Sequence, residues 1–267
     1  YYSPWRNDPR PASGLLHGAF AFLGVGDFWL RMCHQHSTSQ QRGPHLELAR
    51  IIRQFDLACA TLASCDDLTD AGSEFVTHLA DQVRRLREHD SPIEVARIAD
   101  DLVVEHEIRW RLRNLAPPPA DVHQLVADQL DECDTAQAFD DVPASPGFGA
   151  ESELAIAAKH WAAGEPSASL VEQLILEGRY AMAQSLLIGR VRTSASHEDW
   201  IALAVVARHT DLARRYPPFF SHPEVAYALY RALRRKGLTA GLATIARALA
   251  AWSRYVAGTS ISLSVLR

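Results

Sequence analysis

Apolar residues recur at the spacing of a helix face along most of this chain, and this pattern predicts an all-α protein. In the first half, four stretches each carry an apolar stripe wide enough to cover one face of an amphipathic helix. They predict helices that begin near Ser13, span residues 48–62, follow a cap at Thr69 and run over residues 91–115. Polar residues at 35–44 predict a loop between the first two of these helices.

The fourth predicted helix has the clearest start and stop signals. Ser91-Pro92-Ile93-Glu94 combines a capping serine, a proline at the first helical position and a glutamate that closes a capping box. Three consecutive prolines at 117–119 end this helix, because proline cannot continue the hydrogen-bond pattern. The same prolines separate the chain into two regions.

The sequence pattern of the second region predicts several further helices. One helix is predicted over 121–134 and a proline- and glycine-rich linker over 138–149. Further helices are predicted over residues 151–163, 167–177, 179–192, 197–209, 223–235 and 239–250. Small residues at their contacts indicate a C-terminal antiparallel helical array. The predicted organisation is a catalytic domain part at 1–117, a connecting helix and linker at 118–149, and an array at 150–267 that would bind a substrate or partner.

Charge and cysteine content narrow the function classes. The chain has 267 residues and a net charge of −5, with its arginines well spread, so no basic patch for nucleic acid or an anionic membrane surface is visible. Its four cysteines form no CxxC pair, which argues against a zinc ribbon or a redox motif. They are typical of reduced thiols in a cytoplasmic protein. No apolar run has the length of a membrane span, and no signal peptide is recognisable.

The first thirty residues concentrate several special residue types. Three prolines between positions 4 and 11 favour a stiff, extended segment from which Arg6 and Arg10 project. The planar guanidinium of arginine suits bidentate capture of a carboxylate or phosphate. His17 lies one turn into the following helix, which places an imidazole beside this candidate anion site. The chain opens on Tyr1 without a methionine, and we expect further residues of the same protein to precede it.

Simpler interpretations of the candidate residues stay open. A single histidine on an apolar helix is more often a hydrogen-bonded core residue than a metal ligand, and arginines near prolines are usually surface residues. Two fragments that begin at His106 and His197 start like the zinc-binding HExxH helix but lack its second histidine, so solvated helix faces are expected there. His34 and His36, beside the polar loop, form a weak candidate metal site.

No complete catalytic constellation is recognisable in the sequence. The chain has no GxSxG elbow, no phosphate loop and no dinucleotide fingerprint. Arg109 and Arg113 share one face of the fourth predicted helix. Arg113 is placed to face the negative end of the helix dipole, whereas the role of Arg109 is left open.

The start of the chain resembles a family of bacterial enzymes. The residues that carry the resemblance are Tyr2-Ser3-Pro4-Trp5-Arg6, Asp8-Pro9-Arg10-Pro11, Gly14, Leu16-His17-Gly18, Ala21-Phe22, Val25, Phe28-Trp29, Leu68-Thr69, Gly72, Phe75-Val76 and Arg109-Trp110-Arg111-Leu112. Residues 1–117 are thereby similar to the HExxH-type, 2-oxoglutarate-dependent peptide β-hydroxylases, which tailor ribosomally made peptide natural products. The HExxH motif itself is not in this chain, and in the family it lies upstream of the segment at Tyr2.

The resemblance implies an iron(II)- and 2-oxoglutarate-dependent oxidoreductase that hydroxylates a residue of a precursor peptide. It implies that two metal-binding histidines come from a preceding part of the same protein. His17 matches a position that would complete a set of three ligands on the iron. Arg10, or else Arg6, would clamp the distal carboxylate of 2-oxoglutarate, and Tyr2 and Trp5 would line the peptide groove.

Two other function classes are compatible with the same residues. HExxH with a third ligand is also the arrangement of zinc metallopeptidases, in which the metal would be zinc. The other class is a non-catalytic helical interaction module, to which the C-terminal array would contribute most. Succinate release with iron and 2-oxoglutarate, compared with peptide cleavage with zinc, distinguishes the two enzymes.

Overall fold

The computed structural model of this chain describes residues 1–35, 42–115, 151–166, 169–193, 196–217, 221–235 and 245. The described residues form helices and no strand, which confirms the predicted all-α class. The helices are α1 (Ala12–Gln35), α2 (Arg42–Ala63), α3 (Asp70–Arg87), α4 (Ile93–Asn114), α5 (Glu153–Ala163), α6 (Leu170–Leu176), α7 (Tyr180–Thr193), α8 (His197–Ala207), α9 (Leu212–Arg215) and α10 (Pro223–Arg235).

The helix predictions that fall within the described residues are confirmed, with two differences. Both ends of the predicted loop at 35–44 are helical: Gln35 is the last residue of α1, and residues 42–44 belong to α2, because Pro44 sits in the first turn, where its missing N–H is not needed. The short helix α9 was not predicted. The predicted elements at 121–134, 138–149 and 239–250 lie outside the described residues, apart from a helical Ile245. The antiparallel arrangement of the C-terminal helices stays a prediction.

The two predicted helix caps have different outcomes. Thr69 caps α3 as predicted, since its hydroxyl accepts a hydrogen bond from the N–H of Gly72 at 3.2 Å. The capping box predicted for α4 is wrong. The Ser91 hydroxyl is buried without a hydrogen-bond partner among the described residues, and the helix begins at Ile93. The Glu94 carboxylate lies 3.6 Å from the guanidinium of Arg42, on a different helix.

The chain divides into two compact units, Tyr1–Glu107 with Gly149–Leu176 and Ile108–Phe148 with Glu177–Arg267. In the first unit α1, α2 and α3 pack on one another, and α5 packs on α2 and α6. The buried apolar side chains of the three-helix layer include Leu15, Ala19, Leu48, Ile51, Phe55, Ala58, Leu62, Val76, Leu79, Val83 and Leu86. The functional division predicted at residues 117 and 149 stays a prediction.

Two arginine side chains connect α5 and α6 to the earlier helices of the first unit. Arg97 donates hydrogen bonds to the carbonyl oxygens of Ile175 and Leu176 at 2.9 and 2.5 Å. These carbonyls belong to the C-terminal end of α6, where a cation meets the negative end of the helix dipole. On α5, the Trp161 ring lies under the guanidinium of Arg42, with 4.5 Å between the guanidinium carbon and the ring centroid.

The second unit has its own core and its own ion pairs. Trp200 of α8 is fully buried and stacks on Tyr230 of α10 at 4.8 Å between ring centroids. Arg109 holds the carboxylate of Glu198 through two hydrogen bonds of 2.7 and 2.5 Å. The prediction of a solvated helix face at the start of α8 is therefore wrong for Glu198. Arg109, whose role the sequence left open, forms a structural ion pair.

Glu198 gives the second unit a testable dependence on pH. Burial alone would raise the pKa of Glu198, but hydrogen bonds from Arg109 and His197 lower it to about 2. A carboxyl with a lowered pKa stabilises the folded state above its unfolded pKa, and this stabilisation is lost as the pH falls through about 2. Glu198→Gln should therefore cost about 1–3 kcal/mol at neutral pH, as expected for a hydrogen bond to a charged group. Urea unfolding as a function of pH should show this deficit shrinking toward about pH 2, whereas Glu177→Gln at an exposed pair should stay near wild type.

Two glycines of α1 form a matched pair for testing how closely α1 and α3 pack. A Cβ at Gly26 would lie 2.7 Å from a methyl carbon of the buried Leu86, whereas a Cβ at Gly24 would meet no atom within 4 Å. Gly26→Ala should destabilise by about 1–2 kcal/mol, because overpacking outweighs the gain in helix propensity. Gly24→Ala should stabilise by about 0.5–1 kcal/mol through helix propensity alone. Urea unfolding checks both, and equal effects would contradict the close approach.

Candidate metal centre

The two arginines of the N-terminal segment share one internal carboxylate. Arg6 Nε lies 2.7 Å from one oxygen of Asp8, and Arg10 Nη1 lies 3.4 Å from the other. The hydrogen bond from Arg6 is the main cause of an Asp8 pKa below its usual value. A 2-oxoglutarate carboxylate would have to share these guanidinium groups with Asp8, and the predicted clamp by Arg10 or Arg6 stays a prediction.

Tyr2 lies against α4. Its hydroxyl is 2.8 Å from Nδ1 of His106, and the two rings lie 5.7 Å apart. Burial, followed by the carboxylates of Glu107 and Glu105, raises the pKa of Tyr2, so the phenol stays protonated and can donate to the imidazole. The solvated helix face predicted at His106 is therefore wrong, while a peptide-binding role of Tyr2 stays a prediction.

Trp5 is a packing residue between α1 and α2. Its ring stacks on Phe22 at 4.8 Å between centroids and meets Phe55 edge-on at 5.8 Å. It also covers Gly18, where a Cβ would come within 3.2 Å of the indole. Gly18 therefore allows the close approach of the ring to the α1 backbone. The predicted contact of Trp5 with a peptide substrate stays a prediction.

His17 projects from α1 into solvent. Its side chain is exposed, and it belongs to none of the groups of three or more potential metal donors that the described residues form. The other candidate residues have separate neighbours: the half-buried Trp5 ring packs on Phe22 and Phe55, the Tyr2 hydroxyl lies beside His106, and Arg6 and Arg10 pair with Asp8. The assignment of His17 as an iron ligand stays a prediction.

A different group of donors meets at the other end of α1. The Sγ of Cys33 and one ring nitrogen each of His45 and His89 lie within 4.8 Å of one another. We call these three residues the Cys33 triad. His45 Nδ1 and His89 Nε2 are 3.2 Å apart. This separation resembles the edge of a tetrahedron, about 3.3 Å, that two imidazoles span when each binds zinc at about 2.0–2.1 Å.

The helix order of the first unit places the triad residues side by side. Cys33 lies in the last turn of α1, His45 in the first turn of α2, and His89 just beyond the end of α3. Because α1, α2 and α3 pack on one another and the chain reverses between them, these three ends meet on one side of the layer. A turn hydrogen bond of 3.3 Å from the His89 N–H to the Leu86 carbonyl holds His89 there.

The surroundings give the triad one apolar side and one open side. Cys33 is buried with Leu48 and Leu86, whereas His45 and His89 are half-buried. Burial raises the pKa of Cys33 to about 11, so a metal ion would have to displace the thiol proton. Burial, followed by the neighbouring His45 and His34, lowers the pKa of His89, which favours the neutral imidazole that metal ions bind.

His89 also borders two surface hollows. The larger, of about 420 Å³, is lined by Asp27, Leu30, His34, Arg85, Leu86, Glu88, His89 and Asp90. The smaller, of about 290 Å³, lies toward α2 and α4. His34 meets His89 edge-on, with 5.3 Å between ring centroids, but it is not part of the triad. Solvent and small molecules therefore have access to His89 from these hollows.

The sequence analysis singled out residues near the Cys33 triad but none of its three members. The metal site at His34 and His36 stays a prediction, since His36 lies outside the described residues, and the potential donor that α1 contributes to the triad is Cys33. His45 and His89 were not singled out, because they are 44 residues apart and no local motif links them. The sequence signal that could have identified the triad is a histidine or cysteine at each of three predicted helix ends. The up-down-up order of α1, α2 and α3 brings these ends together.

Comparisons with models of protein families, with curated proteins and with solved structures found no match to this chain. The resemblance to the peptide β-hydroxylases therefore remains a prediction from the residues quoted for it. Among the helices of the described residues, none combines the length and apolar character needed to cross a membrane.

Proposed function

We propose that this chain binds a divalent transition-metal ion through Cys33, His45 and His89 and that its function depends on that ion. The observation that carries the proposal is the convergence of one sulfur and two nitrogen donors, from the ends of α1 and α2 and the residues just after α3, within 4.8 Å. One thiolate with two imidazoles is a borderline-soft ligand set that suits zinc, with copper, iron and nickel as competitors. Without a metal ion, the 3.2 Å contact of the two histidines is an N–H···N hydrogen bond.

Metal content measured after zinc loading and dialysis tests this proposal. Wild-type protein should retain about one zinc ion per chain, since the triad forms one centre. Cys33→Ala, His45→Ala and His89→Ala should each lower the affinity by at least about 100-fold, because changes at mere outer-shell partners already cost 10–100-fold. Cobalt loading should give a near-ultraviolet thiolate band that Cys33→Ala removes.

Matched variants make the test specific. Cys59→Ala removes a half-buried thiol of α2, and His78→Ala removes an exposed imidazole of α3. Neither residue belongs to the triad, so both variants should bind zinc as wild type does. Loss of zinc in the control variants, or its retention in all three triad variants, would refute the proposed centre.

The narrower proposal for the activity is iron(II)- and 2-oxoglutarate-dependent β-hydroxylation of a residue in a ribosomally synthesised precursor peptide. It is supported by the resemblance of the N-terminal segment. Within this proposal His17 would be one iron ligand, and the two histidines of the HExxH motif that the resemblance implies upstream of Tyr2 would be the others. Within this proposal Arg10 or Arg6 would orient 2-oxoglutarate, and Tyr2 and Trp5 would contact the peptide.

An assay of the longest available form of the protein separates the activities. Succinate formed from 2-oxoglutarate with iron(II) and a precursor peptide would support the hydroxylase, and Arg10→Ala should then raise the requirement for 2-oxoglutarate more than that for peptide. Peptide cleavage with zinc would favour the zinc metallopeptidase. If neither product forms and the C-terminal helices still bind a partner, the non-catalytic interaction module would be favoured. A cytoplasmic location belongs to the proposal, since the Cys33 thiolate requires a reducing compartment.

A further inference from the structure

The smaller hollow of the first unit, of about 290 Å³, is lined by residues of α2, the end of α3 and the segment after it, and the N-terminal half of α4. All of these elements belong to the same compact unit. The volume lies near the lower end of the range for ligand pockets, so the hollow suits a small metabolite. The chemistry of its walls therefore decides which molecule it would hold.

Four charged side chains line this hollow, and they form two ion pairs between neighbouring helices. Arg53 of α2 donates from Nε to a carboxylate oxygen of Asp100 of α4 at 2.7 Å. Arg87 of α3 donates from Nη2 to a carboxylate oxygen of Asp56 of α2. The lining thus offers two cations and two anions, and a ligand with a single charge would meet repulsion as well as attraction.

Opposite charges stand one helical turn apart on the α2 side of the hollow. Arg53 and Asp56 are three residues apart in α2, so they share one face, with Cβ atoms roughly 5–6 Å apart. An α-amino acid carries its ammonium and carboxylate groups on one carbon atom, so it can meet both side chains at once. A simple carboxylate or amine would satisfy one of them and lie beside the like charge of the other.

The geometry of the ion pairs leaves their members able to take a ligand. Arg53 pairs through Nε, and its two Nη nitrogens have no partner among the described residues. The four charged side chains are between 29% and 48% exposed. Ion pairs with this exposure contribute little to stability, because solvent screens them. Turning a guanidinium or carboxylate toward a ligand therefore costs little free energy.

Apolar side chains and one hydroxyl complete the lining. Ala49 and Ile52 of α2 and Ala96 of α4 offer aliphatic surface, which suits an aliphatic side chain of the ligand. Ser91 also lines the hollow, and its hydroxyl has no hydrogen-bond partner among the described residues. Since serine occupies three staggered rotamers, this hydroxyl can turn toward a bound ligand and gain the partner that a buried polar group requires.

We propose that this hollow binds a small aliphatic α-amino acid as its zwitterion, with the carboxylate on Arg53 and the ammonium group on Asp56. The apolar side chain of the ligand lies against the aliphatic surface of α2 and α4. The inference goes beyond the proposed metal centre and does not rest on it, although His89 belongs to the triad and also lines the hollow.

Isothermal titration calorimetry of the full chain with L-valine and L-leucine tests the site without any variant. The buffer contains EDTA, because free amino acids chelate metal ions. At least one of the two amino acids should bind saturably at one site per chain. For leucine, 4-methylpentanoate and isoamylamine each lack one of the two charges and should bind at least about tenfold more weakly. Saturable binding of neither amino acid, or binding of 4-methylpentanoate as tight as that of leucine, would overturn the proposal.

Variants locate the site. Arg53→Gln and Asp56→Asn should each lower the affinity for the amino acid at least about tenfold. Arg84→Gln is the matched control, because Arg84 pairs with Asp81 on the exposed surface of α3 and is not among the lining residues. Wild-type affinity in both Arg53→Gln and Asp56→Asn would overturn the assignment, and the ligand series decides where a variant fails to fold. Cys33→Ala should keep amino-acid binding while it loses zinc, so the two sites can fail independently.

Discussion

Zinc is expected to raise the free energy of unfolding of the first unit by about 4 kcal/mol when the free ion is a thousand-fold above its dissociation constant. The reason is that the folded state presents three donors together, whereas the unfolded chain separates them. His45 and His89 alone are 44 residues apart along the chain. Urea unfolding followed by circular dichroism, with zinc or with a chelator, measures the difference.

The stabilisation should disappear when the buried thiol is removed. Cys33→Ala should unfold at the same urea concentration with zinc as with chelator, whereas Cys59→Ala should keep the zinc effect. A zinc effect of equal size in Cys33→Ala would indicate unspecific binding and contradict the proposed centre. Because the chain has two compact units, the transition of the first unit must be followed separately from that of the second.

Trp5→Ala is expected to destabilise the first unit by about 3 kcal/mol, the lower end of the range for removing a core aromatic side chain, because Trp5 is half-buried. Trp5 stacks on Phe22, meets Phe55 edge-on and covers Gly18, so the truncation opens a cavity between α1 and α2. Thermal or urea unfolding checks the loss. Trp5→Phe should recover much of it, since the ring contacts persist.

An exposed aromatic residue of the neighbouring helix α1 provides the comparison for Trp5. Phe20 is 59% exposed, and Phe20→Ala should change the free energy of unfolding by less than about 0.5 kcal/mol. If Trp5→Ala instead left stability unchanged and weakened the binding of a precursor peptide, Trp5 would belong to a substrate groove as the family resemblance implies. The experiment thereby separates the packing role from the binding role.

Local signals in the sequence predicted the helices because helix formation depends on nearby residues. The apolar spacing along α2 and the cap at Thr69 both act within one or two turns, and both are confirmed. The errors arose where the same residue type fits two conformations. Pro44 suits a loop and the first turn of a helix equally well, and Ser91 matched a capping pattern although its hydroxyl makes no hydrogen bond among the described residues.

The candidate site was less accessible to sequence reasoning, because its chemistry depends on tertiary contacts. The N-terminal segment attracted attention through residues whose types suit ligand binding. In the structure the half-buried Trp5 instead packs against the core, and Arg6 pairs with Asp8. The Cys33 triad consists of ordinary residues at separate helix ends, and it becomes recognisable once α1, α2 and α3 are packed together.

The path of the chain through its two compact units bears on how the protein can be dissected. The first unit takes its residues from two separate stretches, and α4 contributes Ile93–Glu107 to it and the following residues to the second unit. A fragment cut at the proline triplet would lack α5 and α6, so the guanidinium groups of Arg42 and Arg97 would lose Trp161 and the α6 carbonyls. Recombinant dissection should therefore keep the N-terminal helices joined in one polypeptide to α5 and α6.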